Sequence, residues 1–332
     1  MKKSGKPILK IVLVLVLFVV VGAAVAGTYT YAQLDKVKRT DISKSDTDLG
    51  INEDNEVKKE DKIVNIALFG VDSGGEDREV AHTDTIMVLT IDEVHKKLKL
   101  SSIMRDSYVE IDGHGSHKIN AASVYGGPEL AIKTINKNYN LDIRDYVTVD
   151  FFGLENIINA LGGVEVDVKE KEIKEINKYI KQVADYKKEK YTPIKESGMQ
   201  QLNGKQAVAY ARIRKVGNSD FERTERQKTV LTALIEKIKD AGVTKYPQIV
   251  SALAPNVETS LSNMDMITIG TDLFTSGINQ IDWCRFPVDG YFKGKYVNKS
   301  ACLVFDVEAT KDQINKYIYD DIKPVSKEPE SK

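Results

Sequence analysis

Three groups of residues in this 332-residue chain have types and spacings that could do chemistry. The first is Asp72, closing Leu68-Phe69-Gly70-Val71-Asp72, together with Asp84, which immediately precedes the apolar run Thr85 to Ile91. Carboxylates at strand ends can share one hard cation, because Mg²⁺ takes one or two protein carboxylates and leaves its remaining positions to water and phosphate oxygens. By spacing alone the pair also reads as ordinary turn chemistry, since Asp is common where strands end. The second group is Arg105, in Ile103-Met104-Arg105-Asp106, emerging from the end of a strand. A surface ion pair with Asp106 is its competing reading. The third is Arg212 and Arg214, then Asp220, Arg223, Arg226 and Gln227; between Lys205 and Lys228 seven residues are basic and three acidic. In an extended segment 212 and 214 point the same way, and on a helix 223, 226 and 227 share a face. Guanidinium groups bind phosphate bidentately and keep their charge at neutral pH, so an arginine wall suits a pyrophosphate better than a single carboxylate.

The elements that must position these groups alternate between strand and helix. Apolar strands are expected at Ile63 to Gly70, Thr85 to Ile91 and Lys97 to Ile103, with a turn at Glu93 to Lys96. The second is apolar almost throughout and belongs inside a sheet, whereas Leu98 and Leu100 alternate with Lys97 and Lys99, which predicts a half-buried third strand. Pro128 opens a helix to about Asn138, and Phe151 to Leu161 is another that Gly162-Gly163 ends ahead of a strand at Val164 to Val168. Lys169 to Lys190 reads as an exposed helix and short loop without an evident function. An amphipathic helix from about Phe221 to Asp240 and a last one near Glu308 to Ile322 complete an α/β class.

Composition narrows the setting. With 48 basic and 49 acidic residues no global field recruits nucleic acid, so an anion site must come from local clustering. Lys2, Lys3, Lys6 and Lys10 precede an uncharged stretch from Ile11 to Leu34 that is long enough to span a bilayer. Ala24-Val25-Ala26 also fits a signal-peptidase site; under either reading the remainder is exported. Asp35 to Lys62 has no aromatic residue and reads as a solvated tether. Cys284 and Cys302 lie in the exported part, where they read either as a bridge or as two small buried hydrophobes. His82, His95, His114 and His117 lack zinc-ligand spacing.

Five stretches in one order resemble the LytR-CpsA-Psr family of bacterial cell-envelope proteins. They are LFGVDSGGEDREVAHTDTIMVL, LSSIMRDSYVEI, HKINAASVYGGPELAIKTI, YVTVDFFGLENIINALGGVEVDV and LNGKQAVAYARIRKVGNSDFERTERQKTVL. The resemblance implies an α/β domain with a central mixed sheet flanked by helices, preceded by one transmembrane helix. The organisation is then a cytoplasmic tail and anchor over 1–32, a polar linker over 33–61, an extracytoplasmic domain over 62–325 with its motif core at 63–240, and a tail over 326–332. It also implies an activity: transfer of a glycopolymer, such as teichoic acid or capsular polysaccharide, from a polyprenyl-pyrophosphate carrier to peptidoglycan as a phosphodiester. Carried over by residue, Asp72 and Asp84 look like the carboxylates of a Mg²⁺ site, another divalent metal being possible in its place, and either could assist deprotonation of the acceptor. Arg105, Arg212, Arg214, Arg223 and Arg226 look like the pyrophosphate clamp, with Gln227 beside them. The implied partners are the lipid-linked polymer, the peptidoglycan acceptor and the bilayer, with no nucleic acid.

Two positions depart from the family pattern: Gly74 and His82 stand where arginines are usual. Arg78, in the same loop, is a candidate replacement. Two other functions stay open at this point, a hydrolase using water as acceptor and a membrane-anchored regulator that binds the lipid without turnover.

Overall fold

The computed structural model describes residues 34–51, 60, 62–71, 83–213, 215–216, 222–223, 226–227, 229–230, 233–234, 237, 251, 254–266, 268–269, 276, 278 and 280–327. The proposed span at 11–34, except Leu34, lies outside the described residues, as do Asp72, Gly74, Arg78, His82, Arg214 and much of the helix expected at 221–240. Among the described residues no helix is long and apolar enough to cross a membrane.

The described residues fall into two compact units, one built on a sheet (within 39–150, 258–265 and 272–327) and one mainly helical (within 34–38, 151–257 and 266–269). The main sheet contains β1 (Lys38–Arg39), β2 (Ile63–Val71), β3 (Thr83–Asp92), β4 (Lys97–Ile103), β7 (Asp145–Asp150), β10 (Val257–Thr259) and β11 (Gln280–Phe286). Their order is β1-β10-β7-β2-β3-β4-β11. β2 pairs parallel with β7 and antiparallel with β3; β4 pairs antiparallel with β3 and parallel with β11. The sheet is therefore mixed, and the strand expected to be interior, β3, lies between β2 and β4.

Two short hairpins accompany it, β5 (Tyr108–Ile111) with β6 (Gly115–Lys118), and β12 (Phe292–Val297) with β13 (Ser300–Phe305). Helices α1 (Ala122–Tyr139) and α5 (Val307–Tyr319) belong to this unit, and α1 is interrupted by non-helical Gly126 and Gly127 just before Pro128. Ile132, Ile135 and Tyr139 of α1 and Ile314 and Ile318 of α5 join Ala67, Phe69 and Val88 of the sheet in one apolar core.

The helical unit holds α2 (Phe151–Ala160), α3 (Ile173–Lys187), α4 (Gly204–Ala211) and the hairpin of β8 (Val164–Val168) with β9 (Gly198–Leu202). Gly162 and Gly163 end α2 with φ of 78° and 91°, a backbone that side-chain-bearing residues seldom adopt. Asn203 caps α4 reciprocally with Gln206, and the Gly204 amide donates to Asn159 of α2 at 2.8 Å.

Two expectations change and one open alternative closes. β4 is buried on both faces, not one: Lys99 is fully buried, donating to the Ile318 carbonyl at 2.8 Å and pairing with Asp92 at 2.5 Å. The carboxyl end of α5 supplies acceptors there, so an alternating lysine is absorbed into the interior. The tether expected from Asp35 is not free over its first part: Leu34, Val37, Leu49 and Ile51 are buried, and Arg144 pairs with Asp46 at 2.5 Å. Its isolated apolar residues are the ones that dock while its charges face out. Cys284 and Cys302 are both free thiols, and Cys302 is buried.

Candidate active site

In the sheet unit, β2, β4, β7 and β11 run in one direction, so Val71, Ile103, Asp150 and Phe286 end at the same edge, where β3 begins. The carboxyl ends of strands are where open α/β sheets receive ligands. Asp84 reaches that edge through a register irregularity. Gly70 pairs with Thr85 but Val71 pairs with Thr83, so Asp84 is the unmatched residue of a bulge. Bulges bend a strand and re-aim a side chain. Gly70 permits the arrangement, since a Cβ there would lie 2.9 Å from the Thr85 Cβ.

Arg105 leaves the end of β4 and its guanidinium pairs with Asp84. Its Nε lies 3.8 Å from Asp106, which pairs with Lys118 at 2.8 Å. Charges thus alternate along Asp84, Arg105, Asp106 and Lys118, with the Asp84 and Arg105 side chains largely buried. The turn bearing Arg105 is tied from several sides. Met104 donates to the Phe286 carbonyl at 3.0 Å, Leu303 to the Asp106 carbonyl at 2.8 Å, and Ile119 to the Ser107 carbonyl at 2.8 Å. Ser123 accepts from the Thr83 amide at 3.2 Å and donates to the Asn120 carbonyl at 3.1 Å, which fixes the residue beside Asp84.

Asp150 is a member of this edge that sequence reasoning missed. It is buried, ends β7, and lies in register with Val71, the residue before Asp72. The signal was present, because Asp150 closes an apolar strand as Asp72 does. Asp84 and Asp150 bring carboxylate oxygens, the donor type a hard divalent cation takes, to this edge, and among the described residues no group of three potential metal ligands comes together.

The helical unit carries the other arginines. Arg212 caps α4, its guanidinium 5.9 Å from the Tyr179 ring centre, a cation–π contact. Arg223 and Arg226 are buried and Gln227 is partly exposed. Arg226 donates to Glu172 at 2.7 Å, to the carbonyls of Ile213 at 3.1 Å and Val216 at 2.9 Å, and to Glu222 at 2.8 Å. Four of its five N–H groups are thus used within the unit, clasping the segment on which Arg214 sits. Burial, with Glu172 nearby, pushes the Tyr210 hydroxyl up to about 12, so it stays neutral at ordinary pH. The 169–190 stretch, read from sequence as lacking a function, supplies both Glu172 and Tyr179.

Comparison with known proteins gives this geometry its context. The chain is 31% identical over 280 residues to the regulatory protein MsrR of Staphylococcus aureus (strain COL), covering 82% of this chain and 80% of that protein. It is 31% identical over 271 residues to the polyisoprenyl-teichoic acid–peptidoglycan teichoic acid transferase TagT of Bacillus subtilis (strain 168), covering 80% and 81%. A solved structure of a LytR-CPS2A-psr family protein, YwtF (TagT), with bound octaprenyl pyrophosphate lipid, superposes with a TM-score of 0.56 at 25% identity, covering 82% of this chain and 94% of that one. The LytR_cpsA_psr family model matches residues 17–317, and the chain belongs to that family.

Proposed function

We propose that this chain transfers a glycopolymer from a polyprenyl-pyrophosphate carrier to peptidoglycan. The observation that carries the reading is the Asp84–Arg105 pair, set by a bulge at the carboxyl edge of the sheet in a chain related to a named teichoic acid transferase. An acceptor sugar hydroxyl attacks the glycan-side phosphorus. One O–P bond forms, the P–O bond to the lipid phosphate breaks, and polyprenyl phosphate leaves with the electron pair. Asp72 or Asp84 takes the hydroxyl proton. Arg105, Arg212, Arg214 and Arg223 neutralise the pyrophosphate and Gln227 hydrogen-bonds beside them, while Arg226 chiefly fixes the segment that carries Arg214. Phosphoryl transfer needs positioning and charge neutralisation more than a covalent nucleophile, which suits this set of groups. Mg²⁺ or another divalent cation, held by Asp72 and Asp84, would supply further neutralisation of phosphate charge. The apolar segment at 11–34 anchors the chain with its amino terminus inside and the domain on the extracytoplasmic side, which concentrates it near a lipid-borne donor.

The test is product formation from lipid-pyrophosphate-linked saccharide and peptidoglycan fragments with purified full chain, with and without Mg²⁺. Covalent glycan–peptidoglycan product supports the reading. Lipid binding without turnover under any divalent metal identifies a regulator instead, the description attached to the relative MsrR.

A further inference from the structure

The hairpin of β12 and β13 has a charge pattern the transfer site does not explain. From Phe292 to Phe305 it contains Lys293, Lys295 and Lys299 and no acidic residue. All three lysines are exposed, and among the described residues none has a carboxylate partner. The acids flanking the hairpin are already occupied: Asp289 pairs with Arg285 at 2.5 Å and Asp306 caps α5. The root of the hairpin is fixed to the candidate site, since Leu303 donates to the carbonyl of Asp106, next to Arg105, and bridges Ser107.

Register orders the cations outward from that root. Lys293 lies opposite Val304, the neighbour of Leu303; Lys295 lies opposite Cys302, and Lys299 sits in the turn. Lys293 and Lys295 share a face and are about 7 Å apart, at roughly 3.3 Å per strand residue. A ladder of single cations beginning beside the reaction edge suits a chain of repeating single anions that runs away from it.

We propose that this hairpin is a guide for the polymer portion of the donor, binding an anionic phosphodiester chain through Lys293, Lys295 and Lys299. The inference rests on the transferase reading and adds to it the surface along which an anionic polymer leaves the reaction edge. A bilayer is the other anionic surface available, but the hairpin lacks an apolar cluster to insert. Tyr296, 83% exposed, is its one large exposed apolar side chain and lies opposite Ala301, on the face away from Lys293 and Lys295.

Full chain in neutral-lipid nanodiscs is titrated with fluorescent poly(glycerol phosphate), with dextran as the uncharged control, across a range of salt. The expected result is polymer-selective, salt-sensitive binding that K293Q/K295Q/K299Q weakens about tenfold at low salt, with the slope of log Kd against log salt falling by about 2. Tyr296→Ala leaves the affinity unchanged. Unaltered affinity and slope in the triple variant would overturn the proposal. So would quenching of a fluorophore at Asn298→Cys, in a Cys284→Ser/Cys302→Ser background, by nitroxide-labelled anionic lipid with polymer affinity retained by the triple variant, which would assign the lysines to the bilayer. Binding is read without turnover, so failure of the transferase reading, seen as no transfer of an uncharged short saccharide by wild type, is distinguishable from failure of the guide.

Discussion

Asp84 owes its direction to one skipped register position, and its role follows from what that position faces. The bulge after Gly70 turns the carboxylate toward Arg105 at the strand-end edge. Replacing Asp84 by Asn or Arg105 by Ala is expected to lower kcat by about 10²–10³-fold, the usual cost of removing one group that stabilises transition-state charge. Steady-state transfer rates check this, and unchanged rates would remove both residues from the site. Arg226 is different in kind. Its pair with Glu172 is almost wholly buried, and removing one partner of such a pair costs about 3–5 kcal/mol because the other charge is left uncompensated. Because Glu222 still pairs with Arg226 at 2.8 Å, Glu172→Gln should lower the urea-unfolding free energy by less than that, about 1–3 kcal/mol. A variant of full stability that has lost only lipid affinity would instead place Arg226 on the pyrophosphate.

Between the elements, one buried ion network and one backbone contact make the sharpest predictions. At the sheet edge opposite the candidate site, Asp92 of β3 meets Lys99 of β4 and His95, which approaches at 2.7 Å. Burial opposes ionisation of Asp92, yet hydrogen bonds from Lys99 and His95 outweigh it and hold the carboxyl below the usual carboxylate range. A folded-state value below the unfolded one stabilises the protein above the ordinary carboxylate pKa of about 4 and loses that stabilisation as pH falls through the folded value. Wild type should thus exceed Asp92→Asn in stability at neutral pH, and the gap should narrow below about pH 4 in denaturation series; a constant gap would contradict the linkage. In the helical unit, a Cβ at Gly204 would sit 2.1 Å from the Glu155 carbonyl oxygen. Backbone cannot give way as a flexible side chain does, so Gly204→Ala should cost about 1–3 kcal/mol by forcing α4 from α2, read as a lowered thermal midpoint. An unchanged midpoint would show that the helices separate freely.

Across the molecule, legibility followed how local each signal was. The bounds of β4 and β8 were readable because apolar alternation and turn residues lie within a few positions of each other. β11 was not, because Gln280, Asp282 and Arg285 interrupt its apolar pattern and its place is set by pairing with β4, far away in sequence. The same distinction divides the site. Asp84 and Arg105 could be proposed from strand ends and from family resemblance, but their pairing depends on the bulge. Lys99 read as solvent-facing because its cover, the end of α5, comes over two hundred residues later.

Transfer and hydrolysis differ in where one phosphorus goes. Donor labelled with ³²P at the glycan-side phosphorus, incubated with the full chain, divalent metal and peptidoglycan fragments, should carry its label into a phosphodiester on the peptidoglycan while unlabelled polyprenyl phosphate is released. Label recovered as free glycan phosphate would show that water is the acceptor and contradict the account.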